Sequence, residues 1–399
     1  MDRRTRRRRR RRARIRGLIA LAVLIVIAVF AVVAVSRALS HRGAGASAGP
    51  AGTGSASSHS ATPGSGSGAA TPSPGVTAAP VTVVSGGDVM SDRGVKAYAS
   101  RYGADAVFSG IAPVLRKGDA AWVNLEGPIS TLGSATSGKD YTFEGSPAMA
   151  DALAGAGVTL VTLANNHAVD YGRSALMDTI KNLTKAGVQH VGAGRDLEAA
   201  HAPAVVKTDS GATIGFLGYA DIWWPGFEAT DSHAGVAQAF SDVARMKSDI
   251  RSLAKKVDYV VVGFHWGIEY QHYPISQQTS EAHAAIDAGA DLVIGHHPHV
   301  LQGLETYKKR LIVYSLGDLV FDHYSVETGQ TVLVDATLSP GGVKAALIPT
   351  YVSSSGIPAV QRGAAGKTIL ALVKQYSAPL HTSISISGDT ATVHAGKPE

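Results

Sequence analysis

The chain has 399 residues, 45% hydrophobic and 17% charged, enough apolar material for one large core with appendages. Its net charge of +6 rests on eleven arginines between Arg3 and Arg16 set against the single acid Asp2, so the remainder is net acidic and nucleic-acid binding loses its compositional support. With no cysteine, disulfides, thiolate metal sites and cysteine nucleophiles are excluded.

Behind the arginine-rich residues 1–16, residues 17–36 (GLIALAVLIVIAVFAVVAVS) carry no charge and are long enough, at about 1.5 Å rise each, to span a ~30 Å bilayer core. This stretch reads as a transmembrane helix; the alternative is a cleaved signal peptide, whose apolar run is usually about 7–15 residues. Positive charge stays cytoplasmic, so the reading is a single-pass cell-membrane protein with its C-terminal domain outside and its anchor touching lipid. Residues 37–80, nearly all Gly, Ala, Ser, Thr and Pro, cannot bury enough surface to offset ordering entropy and read as a flexible linker.

From Val81, short β-branched runs alternate with amphipathic stretches: VTVV at Val81, AAWVNLE at Ala120, VTLVTLA at Val158, VQHVG at Val188, TIGFLGY at Thr213, DYVVVGFHW at Asp258, DLVIG at Asp291 and RLIVYSLGD at Arg310. Helices are predicted over Ala106–Arg116, Arg173–Ala186, Ser241–Lys256 and Ser276–Ala288. This alternation argues an α/β domain with buried, parallel or mixed sheets. After Gly329, TVLVDATL, KAALIPTYV and ISISGDTATVH look antiparallel, the last a hairpin turning at Gly388-Asp389. The predicted division is a main domain over 81–352 and a C-terminal extension with a hairpin over 353–399.

Polar residues recur at strand C-terminal ends, the edge where α/β sheets bind ligands. Asp88 follows VTVVSGG; Asn124 and Glu126 close AAWVNLEGP; Asn165, Asn166 and His167 close VTLVTLANNH; His265 closes VVVGFHWG; His296, His297 and His299 follow DLVIG. Singly, each also suits a bland role: a cap, a strand end, an Asx turn, a core histidine. The HHPH cluster is different, because His297 and His299 at i, i+2 about a proline would put both imidazoles on one side of an extended backbone. Carboxylate, amide and imidazole donors without sulfur suit Zn, Mn or Fe rather than Ca. Two such ions can clamp phosphate oxygens and activate a water.

GGDVM (Gly86 to Met90), VNLEGPI (Val123 to Ile129), LANNHAVDYG (Leu163 to Gly172), HWGIEYQHYP (His265 to Pro274), GADLVIGHHPHVLQGLE (Gly289 to Glu305) and YSLGDLVFD (Tyr314 to Asp322) together resemble the motif series of the CapA family of poly-γ-glutamate capsule synthesis proteins. That family is related in fold to calcineurin-like metallophosphoesterases, which implies a layered α/β/β/α sandwich with mixed sheets. Carried onto this sequence, the resemblance implies two divalent ions: Asp88 and His299 on one, Asn166, His265 and His297 on the other, and Glu126 between them. His167 would protonate a leaving oxygen and Asn124 would orient substrate or water. His296, Glu269 and Asp170 would stand behind the ligands, with Asp318, His272 and Glu305 as further acceptors; a shift of one residue would exchange His296 with His297. The common phosphoesterase pattern has a third-position histidine where this chain has Met90, and bridges with Asp where it has Glu126, so one ion is the other expectation. The implied role is assisting synthesis, export or attachment of an anionic capsule or wall polymer, either as a metal-dependent hydrolase or transferase or as a non-catalytic accessory to a polymer synthase.

Overall fold

The computed structural model describes residues 78–323 and 325–396. The arginine-rich segment 1–16, the expected membrane span 17–36 and nearly all of the expected linker 37–80 lie outside the described residues. Among the described residues, no helix is long and apolar enough to cross a membrane.

In chain order the first strands are β1 (Val81–Val89), β2 (Ala120–Leu125), β3 (Leu160–Thr162) and β4 (Gln189–Val191), followed by β5 (Ala193–Gly194), β6 (Ala204–Lys207), β7 (Thr213–Ala220) and β8 (Gly235–Val236). Next come β9 (Tyr259–His265), β10 (Leu292–His296), β11 (Leu304–Tyr307), β12 (Arg310–Val313) and β13 (Asp318–Val320). The last are β14 (Gln330–Ser339), β15 (Gly342–Val352), β16 (Pro358–Val360), β17 (Ser385–Ser387) and β18 (Thr390–Ala395). Ten of them form one mixed sheet in the order β17-β18-β15-β14-β1-β2-β3-β4, with β13 on β1 and β16 on β15. Six form a second sheet in the order β11-β12-β10-β9-β7-β6. Strands β1 to β4 run parallel, and so do β7, β9, β10 and β12.

Strand alternation explains the layers. Along β2, Ala120 and Trp122 enter the core between the sheets, while Ala121, Val123 and Leu125 enter the outer core under the helices Ala148–Ala156 and Gly172–Ala186. Along β9, Tyr259 and Val261 face inward, while Val260, Val262 and Phe264 pack beneath the helices Val243–Ala254 and Ser276–Ala288. Both faces of both sheets are covered, which is why these strands read as continuous apolar runs. The result is an α/β/β/α stack. Trp122 pins its middle, stacking on Phe216 of the second sheet with ring centroids 5.6 Å apart.

Several predicted elements need correction. Ala106–Arg116 is not one helix: a 3-10 turn at Ala104–Val107 and a single turn at Ala112–Leu115 flank Gly110, whose missing Cβ would lie 2.5 Å from the Pro358 carbonyl oxygen. The predicted helix at Ser241 starts at Val243, where the Asp242 side chain caps the Arg245 amide. RLIVYSLGD splits into β12 and β13 about Gly317, at φ 70°. Helices at Arg93–Tyr102, Ala148–Ala156 and Gly363–Ser377 went unpredicted, the last two because Ala and Gly blur their periodicity. The hairpin at Gly388-Asp389 forms and extends the large sheet through β18 on β15. Helix Gly363–Ser377 sends Ile369, Leu370 and Val373 into the core between the sheets.

Candidate metal centre

The C-terminal ends of β1, β2, β9 and β10 meet at one edge of the stack. Asp88 on β1 is fully buried and lies opposite Asn124 of β2 and Asp318 of β13. That pairing depends on Gly87, since a Cβ there would stand 1.9 Å from the Gly317 carbonyl oxygen. The Asn124 amide donates to Asp88 Oδ1 (2.8 Å) while its oxygen accepts from Asn165 (2.9 Å). Asn124 is itself fully buried and therefore holds Asp88 rather than opening onto a cleft.

From the second sheet, β9 delivers His265 and β10 delivers His296 in direct register with it. His265 Nε2 lies 2.8 Å from Asn166 Oδ1. His296 Nε2 accepts from the Trp122 indole (3.2 Å), leaving Nδ1 3.2 Å from Asp88 Oδ1. The HHPH backbone is not extended as expected: His297 and His299 have φ of 97° and 57°. Left-handed geometry at non-glycine residues costs about 1–3 kcal/mol each, and it gathers at functional sites. Here it folds the segment back, so that the His297 amide donates to Asp88 Oδ2 (3.1 Å) and His299 Nδ1 reaches Asp318 Oδ1 (2.8 Å).

Glu126 sits at the centre, 1% exposed, with neither carboxylate oxygen hydrogen-bonded among the described residues. Imidazole nitrogens surround Oε1 at 3.7 Å (His299 Nε2), 3.9 Å (His167 Nε2) and 4.0 Å (His265 Nε2). These gaps are too long for hydrogen bonds, and those to His299 and His265 suit donors sharing an ion at about 2.0–2.2 Å from each. His297 Nδ1 is likewise buried and unpartnered among the described residues.

His167 closes the site. Its Nδ1 lies 2.6 Å from Asp170 Oδ2, and its ring stacks on Phe143 with centroids 4.2 Å apart. Lys139, from the loop before Phe143, forms a buried ion pair with Asp170, donates to the Asn166 carbonyl oxygen (2.5 Å) and lies 3.1 Å from His167 Nδ1. The loop holding Lys139 belongs to no recognisable pattern, and the sequence reading missed it.

Burial dominates the titrations. It pushes Glu126 well above the usual carboxylate range, with Asp88 adding to the rise. It lifts Asp318 to about 6 against the pull of His299. Burial and neighbouring imidazoles drive His265 well down and His297 to about 3, so both are neutral at pH 7, the form that ligates metals. His299 goes the other way: Asp318, Glu126 and Asp88 overcome burial and raise it. For Asp88, burial is outweighed by His296, His299 and Asn124, and its carboxyl stays ionised.

Three donor groups, each with atoms within 4.8 Å of one another, follow: Asp88, Glu126 and His265; Asp88, His299 and Asp318; Glu269, His297 and His299. Asp88 and His299 are thus each shared between two groups, whereas Glu126, the expected bridge, falls in one. Glu269 and Asp318, expected to stand behind the ligands, come within donor range. The unpartnered Glu126 carboxylate and His297 nitrogen, amid oxygen and imidazole donors, fit a divalent transition metal. His272 and Glu305 are drawn away, to the Leu301 carbonyl and to His283 with Tyr314.

Fold and site together define an α/β protein with a buried histidine–carboxylate centre at the strand ends of two stacked sheets. Residues 82–323 match the family model of the bacterial capsule synthesis protein PGA_cap, and the chain belongs to that family. It is similar to the capsule biosynthesis protein CapA of Bacillus anthracis, 36% identical over 267 residues, or 66% of this chain and 65% of that one. It also matches the PGA biosynthesis protein CapA of Bacillus subtilis (strain 168), 35% identical over 257 residues covering 64% and 67% of the two chains. The chain therefore spans just under two thirds of the Bacillus anthracis protein. A solved Thermus thermophilus protein, TT1561, covers 64% of this chain and 94% of its own at 15% identity and a TM-score of 0.39, too distant to carry an argument.

Proposed function

We propose that this protein assists synthesis, export or surface attachment of poly-γ-glutamate or another anionic surface polymer, as a membrane-anchored, extracytoplasmic, metal-dependent hydrolase or transferase of metallophosphoesterase type. The observation that carries the reading is Glu126, a buried carboxylate without a hydrogen bond among the described residues, ringed by three imidazole nitrogens at 3.7 to 4.0 Å. Such a group must either take up a proton or sit beside a cation, and the ring of imidazole donors suits the cation. Asp88, Glu126, Asn166, His265, His297 and His299 would hold the metal, with Asp318 added to the expected set. When bound, divalent ions supply Lewis acidity and an activated water.

The chain's own residues do the rest. Asp170 accepts a hydrogen bond from His167 Nδ1, and burial lowers the His167 pKa, so the neutral ring keeps Nε2, on the Glu126 side, free to take up a proton first and then pass it to a leaving oxygen. Phe143 covers that ring, and Lys139 holds the Asn166 backbone beside it. Asn124 and His296 fix Asp88.

A second reading, a non-catalytic accessory that binds the polymer or its synthase, draws on Met90. That side chain is buried with Phe143 and Phe321, so the first motif offers no third donor. Elemental analysis of the full chain purified without chelator separates the readings. Catalysis expects about one or two equivalents of Mn, Fe or Zn that fall in Asp88→Ala and His299→Ala. No bound metal would overturn it and leave the accessory role.

A further inference from the structure

A cleft of about 640 Å³ opens over the centre and is reached by His167, His299 and Asp318. Among the described residues, Arg93 is its one lysine or arginine. Two features set that side chain apart. Its backbone has φ 49°, a left-handed conformation at a non-glycine residue directly after the Asp92 cap of helix Arg93–Tyr102. Its guanidinium lies over two rings at once, 5.1 Å from the Phe143 centroid and 5.3 Å from that of Phe321. Those rings lean on the site: Phe143 on His167, and Phe321 on His299 at 5.0 Å.

The guanidinium is therefore fixed one ring away from both His167 and His299. Nη2 donates to Asp322, whose other oxygen accepts from the Gly94 amide (3.1 Å). Among the described residues, Nη1 and Nε have no acceptor, so part of the donor fork remains for a ligand. Asp318 is engaged with His299 and Asp322 with Arg93, while Glu269 and Glu327 line the same cleft without an ion pair among the described residues. Beyond His299 and the metal centre itself, an entering anion meets one fixed side-chain cation among the described residues, Arg93.

We propose that Arg93 is an anion subsite of this cleft: the substrate presented to the centre carries a carboxylate or phosphate group that the free edge of the guanidinium receives. The inference rests on the cleft being the substrate site of the proposed metal centre. It narrows the substrate to one with an anionic group close to the bond acted on, as in a γ-glutamyl chain or a phosphodiester.

Full-length protein, with metal content measured on each sample, is titrated with inorganic phosphate, with glutarate and with uncharged glutaramide. Glutarate above phosphate identifies a carboxylate ligand, phosphate above glutarate a phosphate, and glutaramide binds neither form of the site. Losing one charge-assisted contact, Arg93→Gln is expected to weaken the preferred anion about tenfold or more at unchanged metal content. Asp322→Asn, which removes the competing carboxylate and keeps the guanidinium, is expected to bind as tightly as the parent or more so. Anion binding within about twofold of the parent in Arg93→Gln, less than one charge-assisted contact is worth, overturns the subsite. So does a parallel loss of affinity and melting temperature in both variants, which makes the pair a structural staple, or an affinity for glutaramide equal to that for glutarate. If the preparation holds no metal, the metal centre fails while the comparison of Arg93→Gln with the parent still decides the subsite.

Discussion

Glu126→Gln removes a buried negative charge at nearly constant volume, and its effect changes sign with metal. Burial and Asp88 raise the Glu126 pKa above its unfolded value, so the metal-free native state binds the extra proton. Its contribution to stability is full below the ordinary glutamate range and is lost as pH climbs through the raised value. Without metal, the variant should therefore melt higher than the parent at about pH 8, where the unfolded glutamate has long been ionised. With Mn at about 100 times its dissociation constant the parent should gain about 2.7 kcal/mol, and the variant much less. A variant that gains as much from Mn as the parent would remove Glu126 from the ligand set. Lys139 is the other decisive residue: Lys139→Met strands the fully buried Asp170 and should cost about 3–5 kcal/mol in urea unfolding, with Asp170→Leu in the same chain recovering part of it. Additive losses would mean the pair is not coupled. Asp88, Glu126, His265 and His297 were legible as strand-end polar residues; Lys139 was not, since nothing local distinguishes a loop lysine that will be buried from one that stays in water.

Among the elements, helix Ser276–Ala288 carries Glu281 into the interior near Asp221, just after β7, where both Glu281 oxygens and Asp221 Oδ2 lack a hydrogen-bond partner among the described residues. Burial and Asp221 push Glu281 up to about 9, and burial raises Asp221 as well. A raised acid contributes stability below its unfolded pKa and loses it as pH rises toward the folded value, so this contact weakens between the ordinary glutamate range and about 9. Glu281→Gln should leave the melting temperature near the parent's at about pH 5 and exceed it at about pH 8. A gap independent of pH would show that Glu281 is not held protonated in the native state. Helix Ser276–Ala288 was read from sequence to the residue, because Gly289 ends it, although its buried side mixes Gln278 and Glu281 with Ala282, Ala285 and Ile286. The turn at His297 and His299 was read as extended and is left-handed, because only the pull of Asp88 and Asp318 across two other strands makes that strained backbone worth forming.

At the scale of the molecule, the C-terminal residues are part of the main core. Leu370 is fully buried between the sheets, and Leu370→Ala should cost about 2–5 kcal/mol, as a core leucine does. A loss below about 1 kcal/mol would mean that helix Gly363–Ser377 is only loosely docked. Sequence alone determined the alternation of strands and helices, the strand-end placement of the polar motifs and the resemblance to a capsule-synthesis family, because side-chain period and turn chemistry are local properties of the chain. Tertiary structure decided that Asp88 and His299 rather than Glu126 are shared between donor groups, that Asp318 and Glu269 join them, that Asn124 is internal, that Lys139 reaches the centre and that Arg93 lines the cleft over it. Those facts depend on which strands become neighbours. Contacts such as Asp88 with His297, 209 residues apart, are set by sheet order and by burial of the whole stack, which no local pattern encodes.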